Sequence, residues 1–209
     1  MRKAQVLFLF LFLMIFSVLE AQEDDEEIPE DEIPIDIYDD FRQDLYSRGD
    51  QTFNISLGPI FPTIFLNNAG KVIDHKMFVL GGEGFLSYNY FLNSHAFIGL
   101  ELAGMFIQTA SENMYFAVPI SGRLGWQFIL SRFEFPAALS IGMVSQQYVE
   151  QRNFGFFLKP SVAAYFRFSP EWSFGLDASW WWVPQWTKNE KTDIYGNFMA
   201  TSLAVRYHF

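Results

Sequence analysis

From Gln51 onward the chain alternates apolar residues with polar or small ones at period two, and it lacks the 3.6-residue spacing of amphipathic helices. The last stretch is the clearest. Met199, Thr201, Leu203, Val205, Tyr207 and Phe209 share one face, while Ala200, Ser202, Ala204, Arg206 and His208 share the other. Alternation bounded by turn residues predicts strands over 52–62, 76–91, 96–109, 114–130, 133–147, 154–168, 172–186 and 192–209. Short connections at 92–95, 131–132 and 169–171 alternate with mostly longer ones around 63–75, 110–113, 148–153 and 187–191. Nothing follows Phe209 to cover the apolar face of the last strand, so lipid is its natural solvent, and its free edge must pair because a bilayer does not tolerate open edges. The predicted fold is therefore all-β: a closed, eight-stranded, antiparallel, up-and-down transmembrane β-barrel in which 192–209 pairs with 52–62. The short turns and both ends of the barrel sequence are placed on the periplasmic side.

The two faces of these strands carry different chemistry. Outward aromatic pairs at i and i+2 fall at the short-turn ends: Tyr88/Tyr90, Trp126/Phe128, Phe133/Phe135, Phe166/Phe168, Trp172/Phe174 and Tyr207/Phe209. They form the aromatic girdle expected where lipid tails meet headgroups, and Trp180 and Trp182, with Trp186 nearby, mark the opposite interface. A soluble sandwich would turn such residues inward, yet the positions between them are small or polar. The inward set contains Glu83, Glu101, Arg123, Lys159, Arg167, Asp177 and Arg206, a nearly neutral group that reads as a paired lumen network rather than a selectivity ring of one sign. Setting Ala110 opposite Met114 places Glu101 directly across from Arg123, and an ion pair is predicted there. Inward glycines at 99, 125, 142 and 175 are read as leaving room for long basic side chains from across the barrel. Eight strands enclose an interior just wide enough for side chains to fill.

Ahead of the barrel, Arg2 and Lys3 precede an unbroken apolar run from Val6 to Phe16, so residues 1–21 read as a secretory signal peptide cleaved after Ala21. The run is shorter than the roughly 20 residues of a spanning helix. Residues 22–50 hold 13 acidic side chains against Arg42 and Arg48, which leaves residues 51–209 with no net charge. This segment reads as an acidic, disordered periplasmic linker, with a binding arm for a basic partner as the alternative. A barrel without a basic surface has no attraction for nucleic acid. Cysteine is absent, which excludes a lipid-anchored export signal, disulfides and thiolate metal sites.

Little in the chain points to catalysis. Gly81-Gly82-Glu83-Gly84 lies inside a strand and lacks the Lys-Ser/Thr and helix of a phosphate loop. His75, His95 and His208 sit at unrelated depths, so no metal site, catalytic residue or cofactor is assigned. Asp74 and His75 are adjacent in an outer loop, where loop polarity is the simpler explanation.

The closing Leu203-x-Val205-x-Tyr207-x-Phe209 resembles the carboxy-terminal assembly signal of bacterial outer-membrane barrels. The eight-strand layout with an inner charged network is similar to the OmpW, OmpX and OmpA membrane-domain group, while the acidic segment is foreign to all three. The resemblance covers residues 52–209 and implies recognition of the last strand by the outer-membrane insertion machinery. It also implies functions ranging from adhesion to passage of small apolar molecules. The leading expectation is a non-enzymatic barrel of a Gram-negative-type outer membrane, with a plugged, charge-paired lumen. It would act in envelope structure or surface interaction through loop 63–75 and the residues near 146–153. A narrow conduit for hydrophobic compounds, its outer pocket lined by Phe157, Trp181 and Phe198, is the alternative, and a lipid-modifying enzyme the third.

Overall fold

The structure is a computed structural model that describes residues 46–67, 69–73, 78–109, 113–148, 151–185 and 194–209. Among the described residues nine strands form one antiparallel sheet: β1 (Gln51–Asn67), β2 (Val72–Ile73), β3 (Phe78–Phe91), β4 (Ala96–Thr109), β5 (Met114–Leu130), β6 (Phe133–Tyr148), β7 (Gln151–Arg167), β8 (Trp172–Gln185) and β9 (Ile194–His208). Each long strand pairs with the next, and β9 returns to β1, from Thr52↔His208 to Asn67↔Ile194, so that eight long strands close into a barrel. The two-residue β2 only folds back on the end of β1, as Phe65↔Ile73 and Leu66↔Val72.

The outward rows are apolar along their length. On β5, Phe116, Val118, Ile120, Leu124, Trp126, Phe128 and Leu130 all point away from the lumen, with Ile120 66% exposed. Leu57, Leu100, Leu176 and Leu203 continue this surface around the barrel. An apolar belt of that extent is costly in water and costless in hydrocarbon, where the closed sheet also leaves no unpaired edge.

The short turns cluster at the end that holds both Gln51 and His208, called here the turn end. They are built by local side-chain bonds. Asn93 Oδ1 accepts from the backbone N–H groups of His95 (2.9 Å) and Ala96 (2.7 Å), and Ser169 Oγ accepts from Trp172 N–H (3.1 Å). Ser131 reaches φ 56° in the two-residue β5–β6 turn.

Three features depart from the sequence reading. First, β1 does not stop at Pro62. A bulge between Pro62 and Ile64 absorbs the proline, which has no N–H for the ladder, and pairing resumes to Asn67. The bulge returns Phe65 to the interior, so half of the expected 63–75 loop is strand. Second, strand pairing reaches into the stretch near 146–153, of which 149–150 lie outside the described residues and Arg152 and Asn153 are exposed. β6 and β7 pair out to Tyr148↔Gln151, and Gln146 is buried against Tyr115. Third, the β4–β5 register differs by two residues from the one expected: Glu101 faces Ser121 and Arg123 faces Gly99.

Candidate functional site

The lumen is the only place in the described residues where ionised side chains are deeply buried together. All seven charges assigned inward by alternation, Glu83, Glu101, Arg123, Lys159, Arg167, Asp177 and Arg206, are at most 9% exposed. Alternation also contains an eighth that was passed over. Glu134 lies between the outward Phe133 and Phe135, so it must point inward, and it is fully buried. The interior thus balances four acids against four bases.

These charges separate into two levels. In the middle of the barrel Glu101 takes two bases: Arg123 Nη1 at 2.6 Å from Oε2 and Lys159 Nζ at 2.8 Å from Oε1. Ser140 Oγ donates a third bond to the same carboxylate at 3.2 Å. The predicted Glu101–Arg123 pair therefore forms although the register that motivated it does not, because a guanidinium reaches a diagonal neighbour as easily as one directly opposite. Lys159 also stands 3.9 Å over the Phe85 ring, where the face of the aromatic offers further attraction.

At the turn end Glu134 is the hub. Arg206 Nη1 donates to its Oε2 at 2.9 Å and to Gln127 Oε1 at 2.8 Å, while Nε donates to Asn54 Oδ1 at 2.9 Å. Arg167 Nη1 lies 3.7 Å from Oε1 of the same glutamate. The Arg206 guanidinium lies 4.0 Å over Tyr165.

A residue outside the barrel strands completes this level, and sequence reasoning missed it. Tyr46, from the described end of the acidic segment, is 2% exposed, donates its hydroxyl to Glu134 Oε2 (2.8 Å) and stacks on Phe91 at 4.0 Å. His208 Nδ1 lies 3.0 Å from the same hydroxyl, and its Nε2 lies 2.8 Å from Ser173 Oγ. Because the single phenol proton goes to the carboxylate, His208 Nδ1–H donates to Tyr46 and Nε2 accepts from Ser173. Burial pushes the Tyr46 phenol up from its ordinary value, with nearby Arg206 opposing, so Tyr46 is a neutral donor. The local signal was Ser47-Arg48-Gly49-Asp50. Asp50 Oδ2 accepts from Ser47 N–H at 2.7 Å, and Gly49 adopts φ 109° and donates to Phe91 O at 3.0 Å, which turns the chain back over the barrel mouth.

Toward the other end the interior becomes apolar. Phe157 packs edge-on against Trp181 at 5.1 Å, and Phe198 meets Phe65 at 5.5 Å and Tyr115 at 6.2 Å. In the alternative conduit reading these three residues would line an outer pocket; in the structure each is at most 2% exposed and its ring packs against neighbours. Nor do the inward glycines mainly accommodate basic groups. A Cβ at Gly125 would stand 2.3 Å from Phe97 Cζ, and one at Gly175 would stand 2.8 Å from the Tyr165 ring.

On the outside, Tyr88, Tyr90, Trp126, Phe128, Phe166, Phe168, Trp172, Phe174 and Phe209 are all exposed, as are Phe133 and Phe135. Trp172 packs against Tyr207 and Tyr207 against Phe209, each pair 4.9 Å apart, so the end of β9 joins the outward aromatics at the turn end. Leu203 and Val205 share that outward row. Trp180 is exposed, and Trp182 stacks on Tyr195 at 6.2 Å. Trp186, Asp74 and His75 lie outside the described residues.

The closed sheet, apolar exterior and polar interior define a small eight-stranded antiparallel barrel of the outer-membrane type. OprG from Pseudomonas aeruginosa aligns with 78% of this chain and 97% of its own at TM-score 0.52 and 9% identity. Neisserial surface protein A aligns with 77% and 97% at TM-score 0.52 and 12% identity. At these identities the likeness is one of fold. A protein-family profile matches residues 23–207, so the chain belongs to that family through the acidic segment and the barrel together. Its relatives include a Treponema pallidum (strain Nichols) protein, 27% identical over 132 residues that make up 63% of this chain and 60% of the relative. This chain thus spans less than two thirds of that relative's length. A Borreliella burgdorferi protein is 26% identical over 176 residues, 74% of this chain and 81% of the relative.

Proposed function

We propose that the protein is an integral outer-membrane barrel with a plugged lumen, which serves envelope structure or surface interaction and does not conduct solutes. The observation that carries this reading is the sequence of blocks along the lumen. Tyr46 and the Glu134 cluster stand at the turn end, the Glu101 cluster in the middle, and the Phe157, Trp181 and Phe198 rings beyond it. Two carboxylates that each hold two bases are costly to open, since separating a buried pair strands its charges. An open pore would instead keep its ionised groups in water.

In this reading residues 1–21 direct export, the turn end and the acidic segment face the periplasm, and outer-membrane lipids contact the aromatic belts. The Leu203–Phe209 row is what the insertion machinery recognises, and the connections at the far end meet any surface ligand. No catalytic role is assigned. The test is conductance of the full-length protein in a planar bilayer, together with uptake of a small hydrophobic solute by vesicles that contain it. Closed behaviour in both supports the proposal. Discrete conductance steps refute the plug, and selective uptake of the hydrophobic solute assigns the barrel to the narrow-conduit class instead.

A further inference from the structure

The two levels of charge do not share their partners evenly. Glu101 and Glu134 together take all four bases, which leaves Glu83 and Asp177 with none in direct contact. Both are buried, at 4% and 2% exposure. The middle level therefore sets Glu83, Glu101 and Asp177 against Arg123 and Lys159 and is short of one positive charge.

The unpartnered groups stand in one cross-strand row. Glu83 on β3 pairs with Gly58 on β1, and Asp177 on β8 pairs with Ser202 on β9. β1 and β9 are adjacent, and the Gly58 backbone abuts Ser202: a Cβ at Gly58 would stand 2.5 Å from Ser202 Cα. The row around the inner wall is thus Glu83, Gly58, Ser202, Asp177. Gly58 contributes no side chain, and β9 packs where its Cβ would stand, 2.0 Å from Thr201 O, so no β1 side chain stands between the two carboxylates in this row. Ser202 Oγ donates to Glu83 Oε1 at 2.5 Å. Four oxygens around it have no hydrogen-bond partner: Glu83 Oε2, both oxygens of Asp177, and Ser56 Oγ, one inward position along β1 from Gly58.

We propose that Glu83, Asp177, Ser202 and Ser56 form a buried binding site for one monovalent cation of sodium's chemistry. Carboxylate and hydroxyl oxygens are the donors a hard cation takes. A buried carboxylate without a counter-charge is costly, and a single positive charge brings the middle level to zero. A proton supplies the same charge but only one new hydrogen bond, whereas a hard cation takes several oxygens, and four orphaned ones border this row. A divalent ion would overcharge the level. Among the described residues, moreover, no three His, Cys, Asp or Glu side chains converge as a divalent or transition-metal group would require.

The test uses the full-length protein folded in detergent and unfolded thermally in sodium chloride or in choline chloride at equal ionic strength. Sodium is expected to raise the unfolding midpoint of the wild type. Each tenfold increase above the dissociation constant should lower the unfolding equilibrium constant about tenfold. Asp177→Asn is expected to abolish that dependence. If that variant does not fold, the line width of the ²³Na resonance with the wild type alone decides: broadening that saturates supports the site. Absence of any difference between sodium and choline overturns the proposal. So does a wild type indifferent to sodium but stabilised by falling pH, which would give the charge to a proton.

Discussion

Replacing Glu134 by glutamine removes one negative charge and leaves shape and most acceptor capacity in place. In the native protein that carboxylate receives bonds from Arg206 (2.9 Å), Tyr46 (2.8 Å) and Gln127 (3.3 Å), with Arg167 at 3.7 Å. After the change Arg206, 1% exposed, keeps its bonds to Asn54 and Gln127 but loses its counter-charge. Stranding one member of a buried pair costs roughly 3–5 kcal/mol. The remaining bonds of Arg206 put the expectation at the lower end, about 3 kcal/mol. Urea unfolding of the barrel in lipid vesicles, followed by tryptophan fluorescence, measures it, and heat-modified migration on gels checks that the variant folds. A double-mutant cycle with Arg206→Met gives the sharper result. Removing both partners should recover at least about 1.5 kcal/mol relative to the sum of the single changes, since groups that share a network are not additive. A loss below about 0.5 kcal/mol for Glu134→Gln, the range of an ordinary surface change, or strict additivity in the cycle, would refute the hub.

Four further outcomes follow from the same geometry. Tyr46→Phe should cost about 1.5–3 kcal/mol in the same unfolding assay, the worth of a hydrogen bond to a charged acceptor, and Tyr46→Ala should in addition speed proteolysis at the Ser47–Asp50 turn. Ile120→Arg, on the lipid face of β5, should lose roughly 2–4 kcal/mol in a bilayer, while Ile120→Leu should be near neutral; equal effects would mean this face does not meet hydrocarbon. Phe157→Ala should cost about 3–5 kcal/mol by opening a cavity beside Trp181, and a neutral result would show that the far half of the lumen is loosely packed. Deleting Phe209, whose N–H bonds Gln51 O at 3.0 Å and whose ring meets Tyr207, should lower the membrane-inserted fraction in cells more than it lowers the unfolding midpoint of refolded protein, and normal membrane levels would argue against a role in assembly.

How much could be read in advance differs residue by residue. The inward placement of Glu83, Lys159 and Asp177 needed only the parity of their positions within each strand. Glu134 obeyed the same parity and was legible from Phe133 and Phe135, though it went unused. Tyr46 was harder: the charge run before it reads as solvated linker, and the turn that tucks it in depends on a glycine conformation and on Phe91 lying opposite. The end of β1 was not legible because proline normally ends a ladder, and the bulge that keeps it going draws on contacts from across the sheet, Phe65 with Phe198 and Asn197 Nδ2 donating to Ile64 O.

Period-two alternation is a local property of a pleated strand, so the sequence by itself determined the eight long strands, the outward aromatic positions and which charges point into the lumen. Pairing is not local. A two-residue shift between β4 and β5 keeps every side chain on its face, and no local pattern separates one such register from the other. Whether Arg123 meets Glu101 directly or on the diagonal, why Glu101 and Glu134 collect all four bases, and how Glu83 and Asp177 come to flank Gly58 and Ser202 were decided only when eight strands closed with one stagger around a common axis.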